Sequence, residues 1–163
     1  MRKLIQSLTG LFLAGYLSLI STASAQTTYS VGGSVSGLTA GKYAVLLNNG
    51  TNPRTISSNG GFSFSTGLAT GSTYRVSVGI QPSGQLCSVA NATGTVSGAN
   101  VSSVSVTCAS AYTVSGTISG LETSGLVLRL GTSSLLVASG ATSFRFSTAL
   151  LTGSPYAVTV GIQ

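Results

Sequence analysis

The chain contains two copies of one sequence segment, and the second copy is shorter than the first. Tyr29–Leu38 corresponds to Tyr112–Leu121, with six of ten positions identical. Phe62–Gln81 corresponds to Phe144–Gln163, with fourteen of twenty positions identical. A fixed spacing of this length is typical of small domains arranged in tandem. The segment after Gln81, which holds both cysteines, has no counterpart in the second copy.

Both copies alternate apolar residues with serine, threonine or glycine, which is the pattern of half-buried β-strands. The alternation predicts that Tyr29, Val31 and Val35 face inward, and that Tyr112 begins the matching inward set. Residues that accept positive φ angles, such as Asn49 and Gly50, separate the alternating segments. We therefore predict an all-β chain with seven strands in the first copy. Their predicted bounds are 29–36, 43–47, 54–58, 61–66, 73–81, 86–96 and 101–108.

Residues 1–25 have the features of a helical secretory signal peptide. Arg2 and Lys3 give a positive start, an apolar segment follows, and Ala23-Ser24-Ala25 forms a small-residue cleavage site. The apolar segment is shorter than the roughly 20 residues that a membrane-spanning helix needs. A retained N-terminal anchor is the alternative. Cleavage after Ala25 would release a chain without a transmembrane span, which we expect to be secreted, periplasmic or at the cell surface.

Cys87 and Cys108 are predicted to form a disulfide bond, because such bonds persist in exported proteins. Cys87 shares its strand parity with Val89, and Cys108 shares its parity with Val104 and Val106, so both side chains are expected to face inward. The bond would stabilise the fold by about 3 kcal/mol in the chain-entropy model. A redox-active pair would more often have the C-x-x-C spacing.

Two motifs of the first copy resemble a known class of domain. Gly61-Phe62-Ser63-Phe64, followed by Leu68-x-x-Gly71-x-x-Tyr74, resembles the carboxypeptidase-regulatory or prealbumin-like sandwich, and the whole unit resembles Ig-like repeats of exported bacterial proteins. The resemblance implies tandem seven-stranded β-sandwiches, with a complete repeat over 29–111 and a truncated repeat over 112–163 that lacks the last two strands. Tyr74 and Tyr156 are candidates for a tyrosine corner, and core aromatic residues are the alternative.

The composition excludes most kinds of catalytic site. The chain has no histidine and one acidic residue, Glu122, which removes Ser-His-Asp triads, carboxylate pairs and His- or Asp-based metal sites. Lys42 follows a glycine-containing segment that resembles a phosphate-binding loop, but Tyr43 stands where that loop needs Ser or Thr. We expect no enzymatic activity, no metal and no cofactor. The cations are scattered, so no nucleic-acid site is expected.

The resemblance implies a non-catalytic structural or interaction protein that acts as a spacer or a surface-display module. A carbohydrate-binding module is the alternative, with Tyr43 as a weak candidate for ligand binding because the other tyrosines mostly have inward parity. The missing strands are expected to leave an open sheet edge in residues 112–163. Such an edge could accept a strand from a partner or lead to self-association. A prematurely ended reading frame is the other explanation for the short copy.

Overall fold

A computed structural model describes residues 26–163, so the expected signal peptide and its cleavage site at Ala25 lie outside the described residues. Every regular element in this range is a β-strand, which confirms the predicted all-β class. No helix in the same range is long and apolar enough to cross a membrane. The strands are β1 (Thr28–Tyr29), β2 (Val31–Ser36), β3 (Ala44–Asn48), β4 (Asn52–Ile56), β5 (Gly60–Ser63), β6 (Leu68–Ala69), β7 (Thr73–Ile80), β8 (Gln85–Ala90), β9 (Thr93–Thr95), β10 (Val101–Thr117), β11 (Val127–Leu130), β12 (Ser133–Leu136), β13 (Ser143–Leu151) and β14 (Val158–Ile162).

The strands before residue 111 form two main sheets that share one apolar core. In one sheet β2 lies between β5 and β10, and β8 also pairs with β10. The other sheet has the order β4-β3-β7-β9. Strands β2 and β10 run parallel, whereas β8 and β10 run antiparallel. This arrangement is consistent with a β-sandwich.

Along the strands of this core, side chains are buried at alternate positions, as the sequence pattern predicts. Val31 and Val35 of β2 are buried, while Ser34 between them is exposed. Phe62 and Phe64 are also buried, and their rings meet edge to face with centroids 5.8 Å apart. The remaining buried apolar residues of this core are Leu38, Ala44, Leu46, Ile56, Tyr74, Val76, Cys87, Val96, Val104, Val106 and Cys108.

The prediction of one continuous strand over 86–96 is wrong. It is two strands separated at Asn91, whose positive φ of 51° is uncommon for a non-glycine residue and interrupts the extended backbone. Strand β8 before this residue pairs with β10, and β9 after it pairs with β7 of the other sheet. The chain therefore crosses from one sheet to the other at Asn91.

Strand β10 continues through the segment that joins the two halves of the chain. Its 17 residues include Ala109–Ala111, and Ala111 is buried. The Ala111 N–H donates to the Gly84 carbonyl at 3.0 Å, and the Thr152 N–H donates to the Ser110 carbonyl at 3.0 Å. The first part of β10 thus belongs to the first core, and its last residues pair with β13 of the second half.

The second half, residues 112–163, has a smaller core. Strand β11 lies between β12 and β14, and β13 pairs with β10. The buried residues of this core are Leu128, Leu130, Val137 and Phe146. The prediction that Tyr112 and Tyr156 face inward is wrong, since they are 67% and 64% exposed. Their counterparts in the first half differ: Tyr29 packs against the first core, and Tyr74 is buried beside Gly94 of β9.

Candidate functional site

The predicted pair of cysteines forms a disulfide bond inside the first core. Cys87 on β8 lies directly opposite Cys108 on β10, with the two Cα atoms 3.9 Å apart. Both residues are buried, as their strand parity predicts. The side chain of Gln81 holds the backbone of Cys87 from the adjoining loop: its Oε1 accepts from the Cys87 N–H at 2.7 Å, and its Nε2 donates to the Cys87 carbonyl at 3.1 Å. The sequence pattern gave no sign of this role for Gln81.

Lys42 stands at the end of a turn, where Gly37 and Gly41 have positive φ angles. The Lys42 N–H donates to the Thr39 carbonyl at 3.1 Å, which closes the turn. No helix follows, so the segment lacks the helix N-terminus on which a phosphate loop depends. Residues 26–163 contain no group of three or more His, Cys, Asp or Glu side chains that could hold a metal ion.

Two amide side chains fix the same turn from outside it. Gln85 is 4% exposed, and its Oε1 accepts from the Thr39 N–H at 3.0 Å while its Nε2 donates to the Gly37 carbonyl at 2.8 Å. Asn59 makes the equivalent pair of hydrogen bonds with the N–H and the carbonyl of Leu38, at 2.8 and 3.0 Å. These amides satisfy backbone groups that no strand reaches. Their function is therefore to hold the turn before Tyr43 in one conformation.

Tyr43, the weak candidate for ligand binding, lies on the surface beside this turn. Its side chain is 54% exposed, whereas the next residue, Ala44, is buried. An open depression of about 280 Å³ is lined by Tyr43, Lys42 and Gln81, together with Gly41 and Ser83. The depression offers one aromatic ring and one cation to a ligand, while the Gln81 amide beside them is bonded to the backbone of Cys87. The rigid turn holds the backbone of this site in place.

The two candidates for a tyrosine corner have different surroundings. Tyr74 is 7% exposed, and its hydroxyl lies against Gly94 of the neighbouring strand β9. Tyr156 precedes β14, is 64% exposed and has no strand on its open side within the described part of the chain. The corner stays a prediction for Tyr74. For Tyr156, the exposed side chain does not fit an inward-facing corner residue.

The second half presents an open sheet edge, at residues 112–117 of β10. Among residues 26–163 this segment pairs with β13 alone. Strand β14 likewise pairs with β11 alone in that range. A groove of about 340 Å³ is lined by residues 112–115, by residues 150–154 and by Tyr156. Three exposed apolar side chains line this groove: Tyr112, Leu151 and Tyr156. On β14, Val160 and Ile162 are exposed as well.

These two edges lack the features that usually prevent strand pairing. Charged side chains and proline protect many edge strands. The edge strand β4 carries both, in Pro53 and Arg54, and a proline is tolerated there because an edge strand needs fewer backbone donors. Residues 112–117 and β14 contain neither a charged residue nor a proline. The open end of the second half is thus suited to backbone pairing.

Comparisons with known proteins give no family for this chain: no protein-family model, no curated protein and no solved structure matches it.

Proposed function

We propose that this chain is a non-catalytic, exported structural or interaction protein that spaces or displays a neighbouring group outside the inner membrane. Its parts would be two Ig-like β-sandwich repeats, a complete one over 29–111 and a shorter one over 112–163. The equal geometry of corresponding aromatic pairs supports this division. The Phe144 and Phe146 rings meet edge to face at 5.9 Å, as Phe62 and Phe64 do at 5.8 Å.

The observation that carries this proposal is the continuity of strand β10. A spacer must keep its two ends apart, and a flexible joint would defeat that purpose. Here the joint is part of a 17-residue strand, which at about 3.3 Å per residue extends for about 55 Å. Two hydrogen bonds hold the joint: the Ala111 N–H donates to the Gly84 carbonyl, and the Thr152 N–H donates to the Ser110 carbonyl.

The chemistry of the surface and of the cysteines supports a role outside the cell membrane. The exposed positions of the strands are mostly serine and threonine, and charged residues make up 5% of the chain. Such a surface is polar without strong electrostatic attraction to nucleic acid. The buried Cys87–Cys108 bond fits an oxidising compartment.

Distance measurements between fluorescent labels in the two halves would test the spacer role. Labels on cysteines introduced at Ser57 and Ser124 should give one narrow distance distribution, after the native disulfide has been confirmed intact. A four-residue Gly-Ser insertion after Ala109 should broaden that distribution, because it interrupts β10. The same insertion after Gly120 lies in the loop before β11 and serves as the control for added length. A broad distribution in the uninterrupted protein would refute the spacer role.

Carbohydrate binding is the second candidate, favoured by the exposed ring of Tyr43 beside Lys42 and Gln81. An exposed aromatic ring can stack against the apolar face of a sugar. A screen against a glycan array would test it, with Tyr43→Ala as the variant that should lose any signal. Tyr112→Ala removes a tyrosine from the other half that is 67% exposed, against 54% for Tyr43, and is the matched control. Signal that survives Tyr43→Ala would exclude this site.

A further inference from the structure

We propose that the depression beside Tyr43 binds an acidic sugar residue, that is, a pyranose ring that carries a carboxylate. The ring would lie against an apolar surface formed by Tyr43, Val45 and Ile80, and the carboxylate would face the ammonium group of Lys42. The acidic class of sugar rests on the carbohydrate-binding candidate proposed above, and it does not depend on the spacer role.

A β-bulge turns the side chain of Ile80 to the outer face of its sheet. Val45 of β3 lies opposite Ile80 of β7, but the next residue of β3, Leu46, lies opposite Val78. Gly79 is therefore the additional residue of a bulge, which re-aims the side chain beyond it. Leu46 and Val78 face the core, whereas Ile80 is 51% exposed. The bulge thus places Ile80 on the outer face beside Val45.

Tyr43 extends this apolar surface. Tyr43 and Val45 have the same parity, and Ala44 between them is buried. Because Val45 lies directly opposite Ile80, Tyr43 is the diagonal neighbour of Ile80, which is within the reach of an aromatic side chain. Tyr43 is 54% exposed, so both side chains are accessible. Together they offer the apolar face of a sugar ring more contact area than the tyrosine ring alone.

The cation beside this surface has no acidic partner in its own half of the chain. Residues 26–111 contain no Asp or Glu, since the one acidic residue is Glu122. The Lys42 Nζ lies 3.6 Å from the position that a β-carbon on Gly84 would occupy. The lysine side chain therefore extends along the loop that includes Ser83, which lines the depression. A ligand carboxylate can approach the ammonium group without displacing an anion of the protein.

The size and the rigidity of the depression fit one sugar residue. Its volume of about 280 Å³ is near the lower limit for small-molecule pockets. The amides of Gln85 and Asn59 already hold the turn before Tyr43 through four hydrogen bonds to its backbone. Binding would therefore require little further ordering of the backbone, which favours affinity.

The second half contains the same bulge without the proposed binding residues. Val127 lies opposite Ile162, and the register shifts before Leu128, as it does between Val45 and Leu46 in the first half. Ser124 and Gly125 stand at the positions of Lys42 and Tyr43. The second half therefore serves as an internal control, because it lacks both the cation and the aromatic ring.

Titration of the isotope-labelled protein with trigalacturonic acid, followed by NMR of the backbone amides, tests the proposal. The signals of residues 42–44 should shift in a saturable manner, and those of residues 124–127 should not. The fully methyl-esterified trisaccharide has the same rings without the charge. It should bind about three-fold more weakly, which is the contribution of an exposed ion pair. Citrate carries three carboxylates without a sugar ring and should cause no saturable shift.

Three variants separate the contributions of charge and apolar contact. Lys42→Gln should bind the acid and its ester with equal affinity, because it removes the charge alone. Tyr43→Ala and Ile80→Ser should each weaken the binding of both trisaccharides at least about three-fold, because they remove apolar contact. Arg75→Gln, at the other end of β7, removes the same charge from the same half and is the matched control. It should leave the preference for the acid unchanged.

The outcomes distinguish the acidic class from carbohydrate binding itself. Equal binding of the acid and the ester by the unaltered protein would overturn the proposal and leave carbohydrate binding intact. A preference for the acid that survives Lys42→Gln, or saturable binding of citrate at the same residues, would also overturn it. Binding of neither trisaccharide would refute the proposal, and a glycan array without any signal would exclude the carbohydrate-binding function as well.

Discussion

Cys87 and Cys108 lie directly opposite each other on the antiparallel strands β8 and β10, and both are buried. Their bond closes a segment of the chain with a sequence separation of 21 residues. It joins the strand before the crossing at Asn91 to the strand that continues into the second half. The bond therefore fixes the return of the chain to its first sheet.

Replacing both cysteines by alanine should lower the free energy of unfolding by about 3 kcal/mol, since the unfolded chain regains the conformational freedom of the closed segment. Urea denaturation followed by far-UV circular dichroism measures the change. The wild-type protein in the presence of reductant should show a similar loss. An unchanged denaturation midpoint in both samples would contradict the prediction.

Gly33→Ala should destabilise the protein by about 3 kcal/mol, because the new β-carbon would overlap with the carbonyl of Val104 and a paired backbone cannot easily move. Gly116→Ala is the matched control at the corresponding position. Its β-carbon meets the Phe144 ring, which can rotate, so the loss should stay below about 1 kcal/mol. Thermal denaturation of the two variants side by side would reveal the difference, and equal losses would argue against the close approach of β2 and β10.

Gln85→Ala should cost about 2 kcal/mol of stability, because the N–H of Thr39 and the carbonyl of Gly37 each lose the partner that the buried Gln85 side chain provides. Gln26→Ala, at an exposed position, serves as the control and should have no measurable effect. Equilibrium unfolding in urea measures both. Hydrogen exchange at the Thr39 amide should also accelerate in Gln85→Ala alone.

The full chain, expressed in a bacterium with an intact export system, should yield an extracytoplasmic protein that begins at Gln26. The prediction follows from the small residues Ala23 and Ala25 before the expected cleavage site. Intact-mass spectrometry of the exported fraction measures the new terminus. Ala25→Asp should block processing and leave the longer form, whereas Ala40→Asp, far from the cleavage site, should leave processing unchanged. Retention of Met1 in the exported wild-type protein would contradict a cleaved signal peptide.

The strand content and the inward side chains of the first half could be predicted from the sequence. The alternation around Phe62 and at Tyr74 and Val76 is a local property, and it has one solution when a single face can be buried. The same run predicted Ile80 inward, which is wrong, since that residue at the end of β7 is 51% exposed. The same parity placed Cys87 and Cys108 inward. The turn residues Asn49 and Gly50 marked the end of β3, because their positive φ angles are also a local preference.

Tertiary structure decided the features that depend on a neighbouring strand. The alternation at Tyr112 and Tyr156 equals that at Tyr29 and Tyr74, yet these two side chains are exposed, because burial needs a covering strand that no local pattern contains. The hydrogen bonds of Gln81, Gln85 and Asn59 could not be predicted from the sequence either, since an amide side chain has no preference for a partner distant in sequence. The continuity of β10 also depends on distant partners: the Ala111 N–H donates to the Gly84 carbonyl and the Ser110 carbonyl accepts from the Thr152 N–H, which makes a short joint part of a strand.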